Sequence, residues 1–266
     1  MLRSALLNVM VGAALKAGRG LKRDFGEVEN LQVSMKGPGD FVSAADRKAE
    51  QVLRTELLKA RPGYGFIGEE GGRVEGADKS HTWIVDPLDG TTNFLHGIPH
   101  FAVSIGLERD GVLVAGVIYN PANDELYVAE RGTGAFLNDR RLRVSARRKA
   151  EDSVVGCGIP HIGRGDHVQS RNETKIVQSR FGGLRAMGAC SLDLAYVAAG
   201  RYDGFWERNI SPWDIAAGIV VVREAGGFVT DCDGFDNMLI NGTVCAGNEP
   251  IQKALLGAVK EGQKGG

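Results

Sequence analysis

Residues 83–94 read WIVDPLDGTTNF. The apolar run Trp83-Ile84-Val85 reads as a buried strand that stops at Asp86. A proline follows, then a second carboxylate at Asp89, then Gly90, Thr91 and Thr92. Asp-Pro and Asp-Gly are ordinary turn formers, so the stretch alone is consistent with a shaped turn. It is equally consistent with a strand that delivers Asp86 to a sheet edge. Pro87 would then end the pairing, and a tight turn would bring Asp89 round beside Asp86.

Working outward, residues 64–67 form a short apolar strand that stops at Gly68-Glu69-Glu70-Gly71-Gly72. Before it, the spacing predicts a helix over about 43–59, with Ser43 and Asp46 fitting a capping box and Pro62-Gly63 ending the segment. An amphipathic helix over 1–21 sets Leu6, Met10, Ala13, Ala17 and Leu21 near one face, and reads as a packing helix rather than a targeting peptide. From Phe101 the period changes to two, through Val103, Ile105 and Leu107. Asp110-Gly111 is a hairpin turn, and strands over 112–119, 126–128 and 135–137 continue an antiparallel meander.

The second half mixes types. Strands are expected at 154–155, 204–207, around Val229 and over 239–246. Helices are expected over about 165–179, 190–199 and 211–225, with a last one from Asn248. Ser211 and Pro212 fit a cap and first helical position. No repeat or Pro/Gly/Ser-rich linker divides the chain. The expectation is one layered α+β domain over 1–266, with halves 1–145 and 146–266 sharing a cleft.

The 266 residues are 43% hydrophobic and 24% charged, enough for a sizeable core. The net charge of −1 argues against a general nucleic-acid or membrane binder. No stretch is long and apolar enough for a bilayer span. Cys157, Cys190, Cys232 and Cys245 include no C-x-x-C pair, so reduced cysteines in a cytoplasmic protein are expected rather than a zinc site.

The informative residues are the acids at strand ends and helix starts: Glu69, Glu70, Asp86, Asp89 and Asp214. Singly, each has a plain reading as a turn former, loop acid or capping acid. Gathered on one sheet edge they would repel, and no Lys or Arg lies inside the Asp86–Asp89 turn to compensate. A hard divalent cation such as Mg²⁺ suits an all-oxygen set and needs a polyanion to complete its shell. Gly90 allows close backbone approach, and N–H groups at the start of a helical turn from Thr91 suit phosphate oxygens. No Ser or Cys stands in a triad order or elbow motif, which leaves metal-activated water as the nucleophile.

These residues carry a resemblance. Gly68-Glu69-Glu70, the WIVDPLDGTTNF stretch and Ser211-Pro-Trp-Asp-Ile-Ala-Ala-Gly218 are similar, in order and spacing, to the three motifs of the inositol monophosphatase family, close to its bacterial SuhB-type members. The resemblance covers nearly the whole chain. It implies an αβαβα sandwich of the inositol monophosphatase and fructose-1,6-bisphosphatase kind, usually a homodimer. It also implies a lithium-sensitive, Mg²⁺-dependent phosphatase using two to three ions. Glu69, Asp86 and the Leu88 carbonyl would hold one ion; Asp86, Asp89 and Asp214 a second; a third would sit near Glu69. Thr91 and Glu69 would orient the attacking water, with Asp46 supporting Thr91. Gly90 and Thr91 would bind phosphate. Lys36 would belong to a mobile loop, Met35-Lys-Gly-Pro-Gly39, that closes over the metals.

For the substrate, the resemblance matches Glu207 to a position that bonds inositol hydroxyls, against a plain reading as a surface acid. Cys190 stands where many members have alanine. Thr92 stands where the nucleotide-phosphate branch tends to have lysine. The expected substrate is a small phosphate ester, inositol 1-phosphate first. Sugar-, histidinol- and nucleotide-phosphate phosphatases are the enzymatic alternatives. A SuhB-like regulator contacting transcription machinery or RNA is the other. The basic run over 140–149 (Arg140, Arg141, Arg143, Arg147, Arg148, Lys149) bears on that last reading.

Overall fold

The computed structural model describes residues 3–26, 33–37 and 40–264. Helix α1 (Ala5–Phe25) opens the chain, its Ser4 cap accepting the Leu7 N–H. A hairpin of β1 (Val33–Gly37) and β2 (Asp40–Ser43) leads into α2 (Ala44–Ala60). Then come β3 (Tyr64–Gly68), β4 (Gly72–Val74), β5 (Asp78–Asp89), a short α3 (Thr91–Leu95), β6 (Ala102–Arg109), β7 (Val112–Asn120), β8 (Glu125–Glu130), β9 (Gly134–Leu137) and β10 (Arg140–Arg141). The remainder holds β11 (Val154–Cys157), α4 (His167–Gln178), β12 (Gly183–Arg185), α5 (Cys190–Ala198), β13 (Gly204–Arg208), α6 (Pro212–Glu224), β14 (Phe228–Thr230), α7 (Met238–Asn241), β15 (Thr243–Gly247) and α8 (Glu249–Lys264).

The strands form an eight-stranded sheet, β10-β9-β8-β7-β6-β5-β3-β4, and a five-stranded sheet, β12-β11-β13-β15-β14. Alternation along the large sheet sends residues to two different cores. Trp83, Val85, Val103 and Ile105 pack with Leu7, Met10, Leu53 and Leu57 of α1 and α2. Ala102, Ile118 and Tyr127 on the other face pack with Leu192, Leu194, Ile215 and Ile219 of α5 and α6. The same two helices also meet Phe205, Val244 and Ala246 of the small sheet. The far face of that sheet, with Val155, Trp206 and Cys245, is covered by Val177 of α4 and Ile251 and Leu255 of α8. The five layers are the expected αβαβα sandwich. α5 and α6 lie between two sheets, and their long apolar runs follow from that. At Gly106 and Gly116 a Cβ would come 2.7 and 2.5 Å from α6, so that helix lies directly on the backbone of β6 and β7.

Several expectations need correction. Residues 239–241 belong to α7, not to a strand; Gly242 at φ 60° ends that turn, and β15 starts only at Thr243. Strands β4 and β12, three residues each, carry too little pattern to be read from sequence. Lys36 lies in strand β1. Pro38 and Gly39, and the side chain of Lys36, lie outside the described residues. The Asp110-Gly111 turn is a hairpin with φ of 52° and 75°, as the dipeptide demands. All four cysteines are buried and free. Among the described residues no helix is long and apolar enough to cross a membrane.

Candidate active site

Pro87 does not end the pairing of β5. Asp86 opposes Ser104 on β6, and Asp89 opposes Ala102, so two residues, Pro87 and Leu88, face the single residue Val103. This is a β-bulge, and proline is tolerated there because the ladder is locally broken. Its consequence is geometric. Residues i and i+3 of a regular strand point to opposite faces; one extra residue restores them to the same face. That face is the one covered by α6, since Ser104 Oγ donates to the Trp213 carbonyl at 3.3 Å. The Asp86 carboxylate also accepts the Leu88 N–H at 2.9 Å, which shapes the turn.

The other acids arrive from separate elements. Glu69 directly follows β3, which runs parallel to β5. Asp214 is the third residue of α6, and its Oδ2 accepts the Ser211 N–H at 2.7 Å. The capping reading of Asp214 is therefore correct, and the same side chain lines the cleft beside Asp86. Asp46, in the first turn of α2, is buried, and carboxylate oxygens of Asp46, Glu69 and Glu70 lie within 4.8 Å of one another. Glu69, Asp86, Leu88, Asp89, Gly90, Thr91 and Asp214 line one cleft of about 610 Å³.

The electrostatics are those of an anionic pocket. Burial pushes the Asp86 carboxyl well above its usual range, and Glu69, Asp89, Asp214 and Asp46 push it the same way. Burial raises Asp89 to about 6, although two bonds from Ser191 pull it down. Burial, followed by Asp89, raises Asp214 to about 8. Among the described residues, the charged neighbours that act most on Asp86 are all acids. Desolvated like charges of this kind call for a cation, and an all-carboxylate donor set suits a hard divalent one. The residues present fit the implied ion.

The hydroxyl of Thr91 donates to the Leu88 carbonyl at 2.9 Å and reaches Asp46 only at 3.5 Å. Its support is thus chiefly the turn itself. The Leu88 oxygen keeps a second lone pair for another partner. Gly90 has φ 85°, and a Cβ there would stand 2.9 Å from the His100 carbonyl, so glycine is demanded twice over. Cys190 and Glu207 line the same cleft. Burial, then Asp214 and Asp193, raises the Glu207 carboxyl well above its usual range. Burial, then Glu207, does the same to the Cys190 thiol.

Sequence reasoning missed the supports. Both the N–H and the hydroxyl of Ser191, in the first turn of α5, donate to Asp89 Oδ2. Asn93 donates to the carbonyls of His100 and Met187. Buried His100 faces buried Asp193 at 3.6 Å. Glu50, 5% exposed, accepts the Glu70 N–H at 2.8 Å and so holds the turn that carries Glu69. Only Glu50 had a signal: it stands four residues after Asp46, on the same helix face.

A sequence profile of the inositol monophosphatase family matches residues 2–264. The chain belongs to that family. An inositol-1-monophosphatase of Mesorhizobium japonicum is 68% identical over 261 residues, covering 98% of both chains. The Nus factor SuhB of Pseudomonas aeruginosa is 44% identical over 96% of both. The crystal structure of the extragenic suppressor protein suhB from Bartonella henselae superposes with a TM-score of 0.95, at 60% identity, covering 97% of this chain and 100% of that one. Family membership and the layered fold thus agree with the resemblance carried by the three acidic motifs.

Proposed function

We propose that this chain is an Mg²⁺-dependent phosphomonoesterase that hydrolyses inositol 1-phosphate to inositol and phosphate. The observation that carries the reading is the convergence of Glu69, Asp86, Asp89 and Asp214, from three separate parts of the fold, on one cleft. Relatives named inositol-1-monophosphatase at 54–68% identity support the substrate.

Glu69, Asp86 and the Leu88 carbonyl would hold one ion, and Asp86, Asp89 and Asp214 a second, with a third near Glu69. When bound, the ions supply an activated water and neutralise charge on the phosphate and leaving oxygen. The chain's own residues do the rest. Gly90 and Thr91 would offer backbone N–H groups to the phosphate. Glu69 would take the proton of the attacking water, and Thr91, fixed by the Leu88 carbonyl, would orient that water. Glu207 and the segment at Cys190 would face the alcohol half of the ester. Lys36 would belong to a segment that closes over the metals. The working form would be a homodimer.

The test is phosphate release from a panel of inositol 1-phosphate, fructose 1,6-bisphosphate, histidinol phosphate and 3′-phosphoadenosine 5′-phosphate, with Mg²⁺ and with or without Li⁺. Inositol 1-phosphate should be the best substrate and Li⁺ should inhibit. Faster turnover of the adenosine bisphosphate would overturn the substrate assignment.

A regulatory reading rests on the relatives named Nus factor SuhB and on the basic run. Arg140, Arg141, Arg143, Arg148 and Lys149 are exposed. Arg147 is exposed too, and its guanidinium pairs with buried Asp203 at 3.2 Å, which also accepts the Val154 N–H. Charge reversal at Arg148 and Lys149 should therefore abolish RNA or acidic-partner binding and spare phosphate release; unchanged binding would sink this reading.

A further inference from the structure

We infer that Asn93 is a positioning residue for the alcohol half of the substrate, tying the phosphate-facing turn to the wall that faces the leaving group. The inference rests on the phosphomonoesterase reading above. Asn93 is 9% exposed and lies in α3, two residues after Thr91. Its Nδ2 donates to the His100 carbonyl at 2.8 Å and to the Met187 carbonyl at 2.7 Å, with the Gly188 carbonyl at 3.4 Å. One amide thus joins the first half of the cleft to a segment 94 positions further along the chain.

That segment, residues 186–189, is in neither helix nor strand. It links β12 to α5, and its residues Met187 and Gly188 line the cleft together with Cys190 and Glu207. Its last residue, Ala189, caps α5 and its carbonyl accepts the Asp193 N–H at 2.9 Å, while Met187 and Gly188 lie ahead of the helix, so a side-chain bond to their carbonyls has leverage over their position. The phosphate side has other supports: the bulge register places Asp86 and Asp89, and the Leu88 carbonyl holds Thr91. Loss of the Asn93 amide should therefore loosen recognition of the alcohol while leaving recognition of phosphate intact. Gly188 offers a second handle on the same segment. It has φ 77°, so a side chain there is strained, and its Cβ would sit 3.6 Å from Asn93 Nδ2.

The experiment measures KM and kcat for inositol 1-phosphate and competitive inhibition by inorganic phosphate, in wild type, Asn93→Ala and Gly188→Ala, at saturating Mg²⁺. Both variants should raise KM about tenfold or more, while the inhibition constant for inorganic phosphate moves less than about threefold. A merely structural role would lower the melting temperature without separating the two constants. If Asn93→Ala does not fold, Gly188→Ala alone decides. KM and the phosphate constant rising together, or neither changing, overturns the inference. A wild-type protein that releases no phosphate overturns the phosphomonoesterase reading and this inference with it.

Discussion

Asp86 and Asp89 are three residues apart in the chain, yet they oppose Ser104 and Ala102, two residues apart, on the neighbouring strand. The single extra residue puts both carboxylates on one face and sets them against each other in a buried cleft. The arrangement is unfavourable for the bare protein and useful once a cation is present. Asp86→Asn should therefore act in opposite directions. Phosphate release should fall by about 100-fold or more, through loss of a carboxylate that would help hold the implied ions. The melting temperature in chelator should rise by a few degrees, because a neutral amide escapes the desolvation and repulsion borne by the carboxylate. A phosphate-release assay reads the first and scanning calorimetry in chelator the second; a variant less stable than wild type in chelator would contradict the account.

The same charges give a pH dependence of known sign. The folded-state values of Asp89 and Asp214, about 6 and about 8, lie above the usual carboxylate value of 3.8. Between those limits the native state binds more protons than the unfolded one, so stability falls as pH rises. In chelator, the melting temperature should drop between pH 5 and pH 8 by several degrees beyond the drift seen with saturating Mg²⁺. The stabilisation by Mg²⁺ should accordingly be larger at pH 8. Equal Mg²⁺ stabilisation at both pH values would remove the like-charge explanation.

Ser191 fixes the orientation of Asp89 by donating from its hydroxyl and its backbone N–H to one oxygen, which leaves the other for the cleft. Ser191→Ala removes one of the two donors. Apparent Mg²⁺ affinity should weaken about 10-fold, within the range seen for residues that orient metal ligands. Activity at high Mg²⁺ should recover most of the loss. Titration of activity against Mg²⁺ distinguishes this from a change in kcat alone.

Glu50 holds the Glu69-Glu70 turn from beneath, through its bond to the Glu70 N–H. Glu50→Ala leaves that part-buried N–H without its acceptor and should destabilise the fold by about 1 kcal/mol. Glu50→Gln keeps an acceptor oxygen and should retain most of the stability. Urea unfolding of both variants checks the difference, and equal losses in the two would mean that the packing of Glu50, not its bond, matters.

Much of this was legible because it is local. Period-two alternation in 101–119 and the Asp110-Gly111 turn dictate a hairpin whatever the rest of the chain does. A proline after Ser211 starts a helix for reasons contained in that helix. The acids were legible as a set because their chemistry is shared. Strands β4 and β12 were not, since three residues carry no period. The 239–241 segment misled because its apolar run suits a strand or a buried turn equally.

WIVDPLDGTTNF by itself determined that a buried strand ends in two acids, a glycine and two hydroxyls. It could not determine that pairing resumes beyond Pro87, because a bulge is a property of two strands and β6 begins at Ala102. Nor could it show that Ser191 orients Asp89, or that Asn93 reaches Met187, since those partners are about a hundred positions away. Composition and local pattern set what each residue can do; the packing of α5 and α6 between two sheets decided which of them meet.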